Sequence, residues 1–239
     1  MTQSTGDRRP VICMPTYNEM ENLENIIEAI HEVVPDVHIL VIDDNSPDGT
    51  GKLADELAQD DERIHVLHRT TKEGLGPAYI AGFRWALERD YDTILEMDAD
   101  FSHQPRYLPE MIGQTSSYDV VIGSRYIAGG GTQDWGLIRR LISRGGGFYA
   151  RTILGLDIHD LTAGFVAWRR EVLETIGLDG IEASGYVFQI ELKNRAFHAG
   201  FKVLEIPIVF PDRVAGASKM TPNIAAEALW RVWKIKLKG

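Results

Sequence analysis

The chain has a single cysteine, Cys13, in 239 residues. One thiol excludes an internal disulfide framework and any zinc site built from several cysteines. Long apolar runs are missing as well. The longest stretch without a charged residue runs from Gly74 to Phe83 and contains Pro77. A membrane-spanning helix needs roughly 20 apolar residues, about twice that length. The start, MTQSTGDRRP, has no apolar core, so no secretory signal is expected there and the expected compartment is the cytosol. Basic residues are in deficit, 25 Lys and Arg against 35 Asp and Glu, for a net charge of -10. Proteins that grip nucleic acid by its phosphates carry the opposite balance, so neither DNA nor RNA is an expected partner. No Walker-type phosphate loop occurs, nor a GxGxxG after the first apolar run. A P-loop NTPase and a Rossmann dehydrogenase are both disfavoured. The seven histidines show no HExxH spacing, and Cys13 lies inside an apolar run, where a buried inert thiol is expected.

What is present is a regular alternation. Short β-branched runs at Val11 to Met14, His38 to Ile42, Ile64 to Leu67, Thr93 to Met97 and Val120 to Gly123 read as strands. Between them, Glu21 to Val33, Thr50 to Gln59, Pro77 to Arg89 and Pro105 to Thr115 carry apolar residues at helical spacing. This order predicts an α/β fold with a mostly parallel sheet and crossover helices. Asp48 with Thr50 offers a cap for the second helix. Residues 125 to 147 are rich in glycine and arginine, and a helical stretch then leads to Asp157. Strand-like pieces follow at Gly164 to Trp168 and Lys202 to Phe210, around a helical segment from Val187 to His198. An amphipathic helix closes the chain from Asn223 to Lys238, so the expected organisation is one domain, 1–219, with an appendix, 220–239.

In an open parallel sheet, ligands bind beyond the carboxyl ends of the strands. Those ends here read PTYNE from Pro15, DDNSPDG from Asp43, DAD from Asp98 and SRY from Ser124. Taken singly, each reads as ordinary turn or cap chemistry. Together they gather carboxylates and an arginine on one rim. Asp98 and Asp100, two apart in extended chain, point to one side and repel each other unless a cation lies between them. A hard divalent ion bridging a pyrophosphate suits such a pair. Gly74-Leu75-Gly76 is either a simple turn or a place where backbone N–H groups meet an anion.

An ordered series of motifs then resembles a known family. It comprises PTYNExxN at 15–22, IDDNSPDGT at 42–50, GLGPAYIAGF at 74–83 and MDADFSHQP at 97–105. GSRY at 123–126, ISRGG at 142–146, DLTAGF at 160–165, SGYVFQIEL at 184–192 and FPDRVAGASK at 210–219 complete it. The series covers about residues 9 to 221 and resembles the inverting family-2 glycosyltransferases with the GT-A fold. Within them it is similar to the polyprenol-phosphate (dolichol-phosphate) mannose synthases, in the form without membrane-spanning segments.

The resemblance implies mannose transfer from GDP-mannose to a polyprenyl phosphate with a divalent cation, Mg²⁺ or Mn²⁺. Pro15, Tyr17, Glu19, Ile42 and Asp44 would line the guanine and ribose pocket. Asp98, Ala99 and Asp100 would meet the nucleotide-sugar diphosphate, with Asp100 the firmest metal ligand, Asp98 beside it and Ser102 where the family often has Gln. Arg213 and Lys219 would close over the diphosphate, and Arg125, Arg139 and Ser143 would hold the acceptor phosphate. Asp98, Asp100 and Arg125 would be the catalytic group.

Two other functions compete: the same fold using UDP-glucose, and a nucleotide-binding module without turnover. Mannose and glucose differ at one hydroxyl, so residue types alone do not choose between donors. A lipid acceptor further implies peripheral contact with the cytoplasmic face of a membrane, with a membrane protein as a further partner. Arg231, Lys234, Lys236 and Lys238 against Glu227, interleaved with Trp230 and Trp233, suit an anionic bilayer. Docking of that helix on the core is the alternative.

Overall fold

The computed structural model describes residues 9–133, 135–181, 185–211 and 230–237, with the side chains of 137–139, 185 and 186 outside the description. The first five strands fall where the β-branched runs lie: β1 (Pro10–Thr16), β2 (His38–Asp43), β3 (Ile64–His68), β4 (Thr93–Glu96) and β5 (Val120–Ser124). Their residues are apolar on both faces because helices cover both faces. Along β1, Val11 and Cys13 belong to one core cluster, Ile12 and Met14 to the other. The period of two in a strand divides a continuous apolar run between two hydrophobic layers.

Four helices separate these strands: α1 (Leu23–Val33), α2 (Thr50–Asp60), α3 (Leu75–Leu87), and a 3₁₀ turn (Pro105–Tyr107) running into α4 (Leu108–Gln114). The N-cap of α2 is Gly49; Asp48, one residue before it, accepts from Thr50 N at 3.0 Å and Thr50 Oγ1 at 2.6 Å. Gly74, at φ 105°, permits α3 to start at Leu75, two residues before the expected Pro77. The Gly74-Leu75-Gly76 turn is therefore the first turn of a helix. Gly82 explains how closely α3 approaches the sheet. A Cβ there would come within 2.5 Å of Ile42 Cδ1 and 3.1 Å of Cys13 Sγ.

The second half departs further from the expected pattern. After the short β6 (Gly131–Thr132), an 18-residue helix, α5 (Leu137–Leu154), takes up residues 137–147 of the glycine–arginine segment. Gly145, Gly146 and Gly147 lie within it, and the helix stops at Gly155, in the left-handed region. β7 (Val166–Arg169), α6 (Arg170–Ile176), α7 (Gly185–His198), β8 (Val203–Pro207) and β9 (Val209–Phe210) follow. The expected last strand is thus two, with β9 leaving the main sheet to pair with β6. Residues 230–237 form α8, and residues 223–229 and 238 of the expected helix lie outside the described residues.

The main sheet has the order β3-β2-β1-β4-β7-β5-β8. Every pairing is parallel except those of β7, which runs against both β4 and β5. The carboxyl ends of β1, β2, β4, β5 and β8 therefore share one edge. Among the described residues, no helix is long and apolar enough to cross a membrane.

Candidate active site

At the shared edge, β1 and β2 end side by side. Their loops are tied together by Asn18 N to Ser46 Oγ (3.1 Å), Glu19 N to Thr50 Oγ1 (3.0 Å) and Met20 N to Asp48 Oδ2 (3.2 Å). Tyr17 is half-buried, and Lys72 Nζ stands 3.4 Å from the centre of its ring. Asp44 pairs with Arg69 at 2.6 Å, and Arg69 also reaches Glu73. Burial pushes the Asp44 carboxyl up, against the pull of Arg69, with Asp43 adding repulsion. Glu19 accepts from Asn22 Nδ2 at 2.9 Å, and Pro15 is half-buried near the end of β1.

The side chain of Ile42 is wholly buried on the face covered by α3, against Gly82, and its carbonyl accepts from Thr16 Oγ1 at 3.5 Å. The alternation of β2 puts the next residue, Asp43, in a different setting. Its carboxylate accepts from Ser46 Oγ (2.6 Å), Ser46 N (3.1 Å) and Thr16 Oγ1 (3.3 Å) and fixes the loop. Arg69 and Lys72 follow β3 just before the Gly74-Leu75-Gly76 motif, and single cations in a polar loop carry no pattern of their own that marks them.

Beyond β4, Asp98 and Asp100 are both half-buried, while the methyl of Ala99 packs into the core. Asp98 Oδ1 accepts from Tyr79 Oη at 3.3 Å, and Asp98 N donates to His103 Nδ1 at 2.9 Å. His103 therefore carries its proton on Nε2; its ring stacks on Phe165 at 4.9 Å. Tyr79 is fully buried, and burial, then the charge of Asp98, hold its phenol protonated. Asp100 Oδ1 accepts from Ser102 N at 3.1 Å across a turn whose Phe101 has φ 59°. Ser102 Oγ is buried and has no hydrogen-bond partner among the described residues. An unpartnered buried hydroxyl beside two carboxylates is an all-oxygen donor set, which suits a hard divalent cation. No group of three His, Cys, Asp or Glu side chains able to hold a metal occurs among the described residues.

Behind this pair lies a buried polar network that the sequence reading missed. Glu96 Oε1 accepts from Trp168 Nε1 at 2.7 Å, and Oε2 accepts from Gln189 Nε2. Lys193 Nζ donates to Gln189 Oε1 (2.9 Å) and to Ala163 O (2.7 Å). Burial drives Glu96 up and Lys193 down from their ordinary values, each opposed by the charge of the other. The signal available was a lone glutamate inside an apolar strand.

On the far side of β7, Arg125 follows β5 and is turned inward. Its N and Nε both donate to Asp160 Oδ2 (3.0 and 2.7 Å), and its Nη2 to Asp160 Oδ1 (2.7 Å) and Thr162 Oγ1 (2.9 Å). Burial raises Asp160, but Arg125's charge and hydrogen bonds outweigh it and hold the carboxyl below its ordinary value. The guanidinium still lines a cavity of about 190 Å³ with Tyr126, Thr132, Arg140 and Arg144. Gly130 lets the loop cross the end of β5, since a Cβ would sit 2.5 Å from Ser124 O. Ser143 Oγ hydrogen-bonds Tyr126 Oη at the cavity's side. Arg139 lies on α5 with its side chain outside the description; Arg213 and Lys219 lie outside the described residues altogether.

Comparison with known proteins agrees with this geometry. Residues 11–177 match the model of glycosyl transferase family 2. The polyprenol monophosphomannose synthase of Mycolicibacterium smegmatis is 49% identical over 234 residues, spanning 97% of this chain and 88% of that protein. The undecaprenyl-phosphate mannosyltransferase of Micrococcus luteus is 48% identical, spanning 94% of this chain and 92% of that one. Among solved structures, glucosyl-3-phosphoglycerate synthase from Mycobacterium tuberculosis, with Mn²⁺, UDP and its product, superposes with a TM-score of 0.66 at 19% identity, covering 97% of this chain and 79% of that one. A mannosyltransferase from Pyrobaculum calidifontis with GDP-Man and Mn²⁺ gives 0.65 at 16% identity, covering 98% and 66%. At such identities these two structures establish the GT-A fold. With its family model matched over most of the sheet and its relatives matched almost end to end, the chain belongs to glycosyl transferase family 2.

Proposed function

We propose that this protein transfers mannose from GDP-mannose to a polyprenyl phosphate, with inversion, giving polyprenyl-phosphate mannose and GDP. The observation that carries this reading is the near-full-length, 49% identical relative that is a polyprenol monophosphomannose synthase. A second supports it: the Asp98–Asp100 pair and the arginine-lined cavity lie at strand ends of one sheet edge.

An oxygen of the acceptor phosphate attacks the anomeric carbon, and the bond to the GDP oxygen breaks on the opposite face. A phosphate already ionised needs little base assistance, so the protein's task is to bring two anions together and hold them. Arg125, Arg139, Arg140, Arg144 and Ser143 are assigned to the acceptor phosphate. Asp160 clamps Arg125 in two-pronged geometry and limits how far it can swing. Tyr17, Glu19, Asp44 and Lys72 are assigned to the nucleoside, with Pro15 framing them. Asp98, Asp100 and Ser102 would hold the divalent cation, which when bound neutralises charge growing on the leaving diphosphate. Arg213 and Lys219 are assigned to the same diphosphate. Residues 1–219 form the transferase unit, and 220–239 are its membrane-facing appendix on the cytoplasmic side.

Incubation with GDP-mannose or UDP-glucose, a polyprenyl phosphate and Mg²⁺ or Mn²⁺ tests the reading. Mannose should appear in the lipid fraction. Transfer of glucose alone would assign the other donor, and no transfer with either donor would overturn the enzyme.

A further inference from the structure

The outward face of α5 is apolar, and no part of the described chain covers it. Leu141 and Phe148 are each 71% exposed and Ile142 is 51% exposed. At 100° per residue, Leu141 and Phe148 lie two turns apart on one line, with Gly145 between them. Arg140, Arg144 and Arg151 form a parallel line on one flank, and the first two line the cavity beside Arg125. Gly145 and Gly146 deepen the puzzle. Each weakens a helix by about 0.5–1 kcal/mol relative to Ala, yet a Cβ at either would meet nothing within 4 Å. Nothing among the described residues requires them, which suits a face that something external approaches closely.

We propose that this face of α5 is the surface by which the protein seats on an anionic bilayer, with the arginine cavity opening beside the headgroups. This rests on the lipid acceptor assigned above and adds the element that docks and its orientation. Charge selects the partner. The chain carries -10 overall, so an anionic surface repels most of it, and the arginine stripe beside the apolar one gives a local attraction. Position selects it too. An acceptor whose tail stays in hydrocarbon presents its phosphate at the interface, and the cavity lies on the flank of the helix that would enter it. α8 buries Val232 and Ile235 and turns Trp230, Trp233 and Leu237 outward, so it offers a second apolar face. The proposal gives α5 a share that α8 does not replace.

The test uses the full-length chain, the variant L141S/F148S and, separately, W230S/W233S. Binding is read by co-sedimentation with vesicles of phosphatidylcholine containing phosphatidylglycerol, and thermal melts establish folding. Moving an exposed Leu or Phe into hydrocarbon favours partition by about tenfold or more, so L141S/F148S should bind about a hundredfold less tightly. Its turnover of a long polyprenyl phosphate in vesicles should fall accordingly, while turnover of a short, water-soluble prenyl phosphate stays at the wild-type level. Wild-type vesicle binding by a folded L141S/F148S, or loss of all binding in W230S/W233S, would overturn the role of α5. So would a self-association in sedimentation velocity that L141S/F148S abolishes, since a second copy would then cover the face. Absence of transfer to both acceptors would remove the proposed function and leave the vesicle measurement to decide the surface.

Discussion

Arg125 and Asp160 form a buried two-pronged ion pair, with Nε to Oδ2 and Nη2 to Oδ1 both at 2.7 Å. It joins the end of β5 to the loop before β7, beside the arginine-lined cavity. Removing one partner of such a pair strands the other's charge out of water. Asp160→Asn should therefore lower stability by about 3–5 kcal/mol, read by chemical denaturation. In the folded variant, acceptor KM should rise while GDP affinity holds. Its sign with pH is also set. Asp160's carboxyl is held down, so its contribution is whole above the ordinary value of 3.8 and lost as pH falls below it. A wild-type acid limb identical to that of Asp160→Asn would refute the linkage.

Arg144→Ala should weaken the acceptor without unfolding the protein, because Arg144 is exposed and Arg125 is not. A lost charge-assisted contact to phosphate is worth roughly 1.5–3 kcal/mol, about ten- to a hundredfold in acceptor KM. GDP binding measured by calorimetry should be unchanged. If nucleotide affinity falls instead, the two anion sites have been confused.

Asp100→Asn should reduce GDP affinity in the presence of Mn²⁺ by about tenfold or more, and Asp98→Asn by less. Calorimetry with and without the cation makes the comparison. A variant that binds GDP as tightly, and with the same dependence on Mn²⁺, would remove Asp100 from the metal site.

His38 Nδ1 and His65 Nε2 lie 2.9 Å apart, with Tyr91 Oη 3.0 and 3.1 Å from them. Burial, then the charge of Arg9, lowers His38; burial, then His38 itself, lowers His65. Both fold with fewer protons than the unfolded chain binds. Stability should thus be whole above the ordinary value of 6.5 and decline as pH falls through it. Melts between pH 7.5 and 5 should show the decline, and His65→Phe should flatten it.

Gly82→Ala should destabilise by about 1–3 kcal/mol, since its methyl would press on Ile42 and Cys13. A melt unchanged from wild type would mean that α3 can move away from the sheet at little cost.

Local pattern determined a good deal by itself. β-branched runs fixed β1 to β5 to within two residues at either end, because strand burial on both faces leaves a continuous apolar signature. The carboxylates and Arg125 were legible for a related reason: in a parallel sheet the residue after each strand lies at one edge. Tertiary structure decided what local pattern does not carry. The direction of β7 is not written in Val166–Arg169, since a strand reads alike both ways; it follows from pairing with β4 and β5. The place of Ile42 depends on which face α3 covers and on Gly82 making room. Asp160 and Lys193 lie 35 and 97 residues from their ionic partners Arg125 and Glu96, and only the folded sheet brings those charges together in a medium where each needs the other.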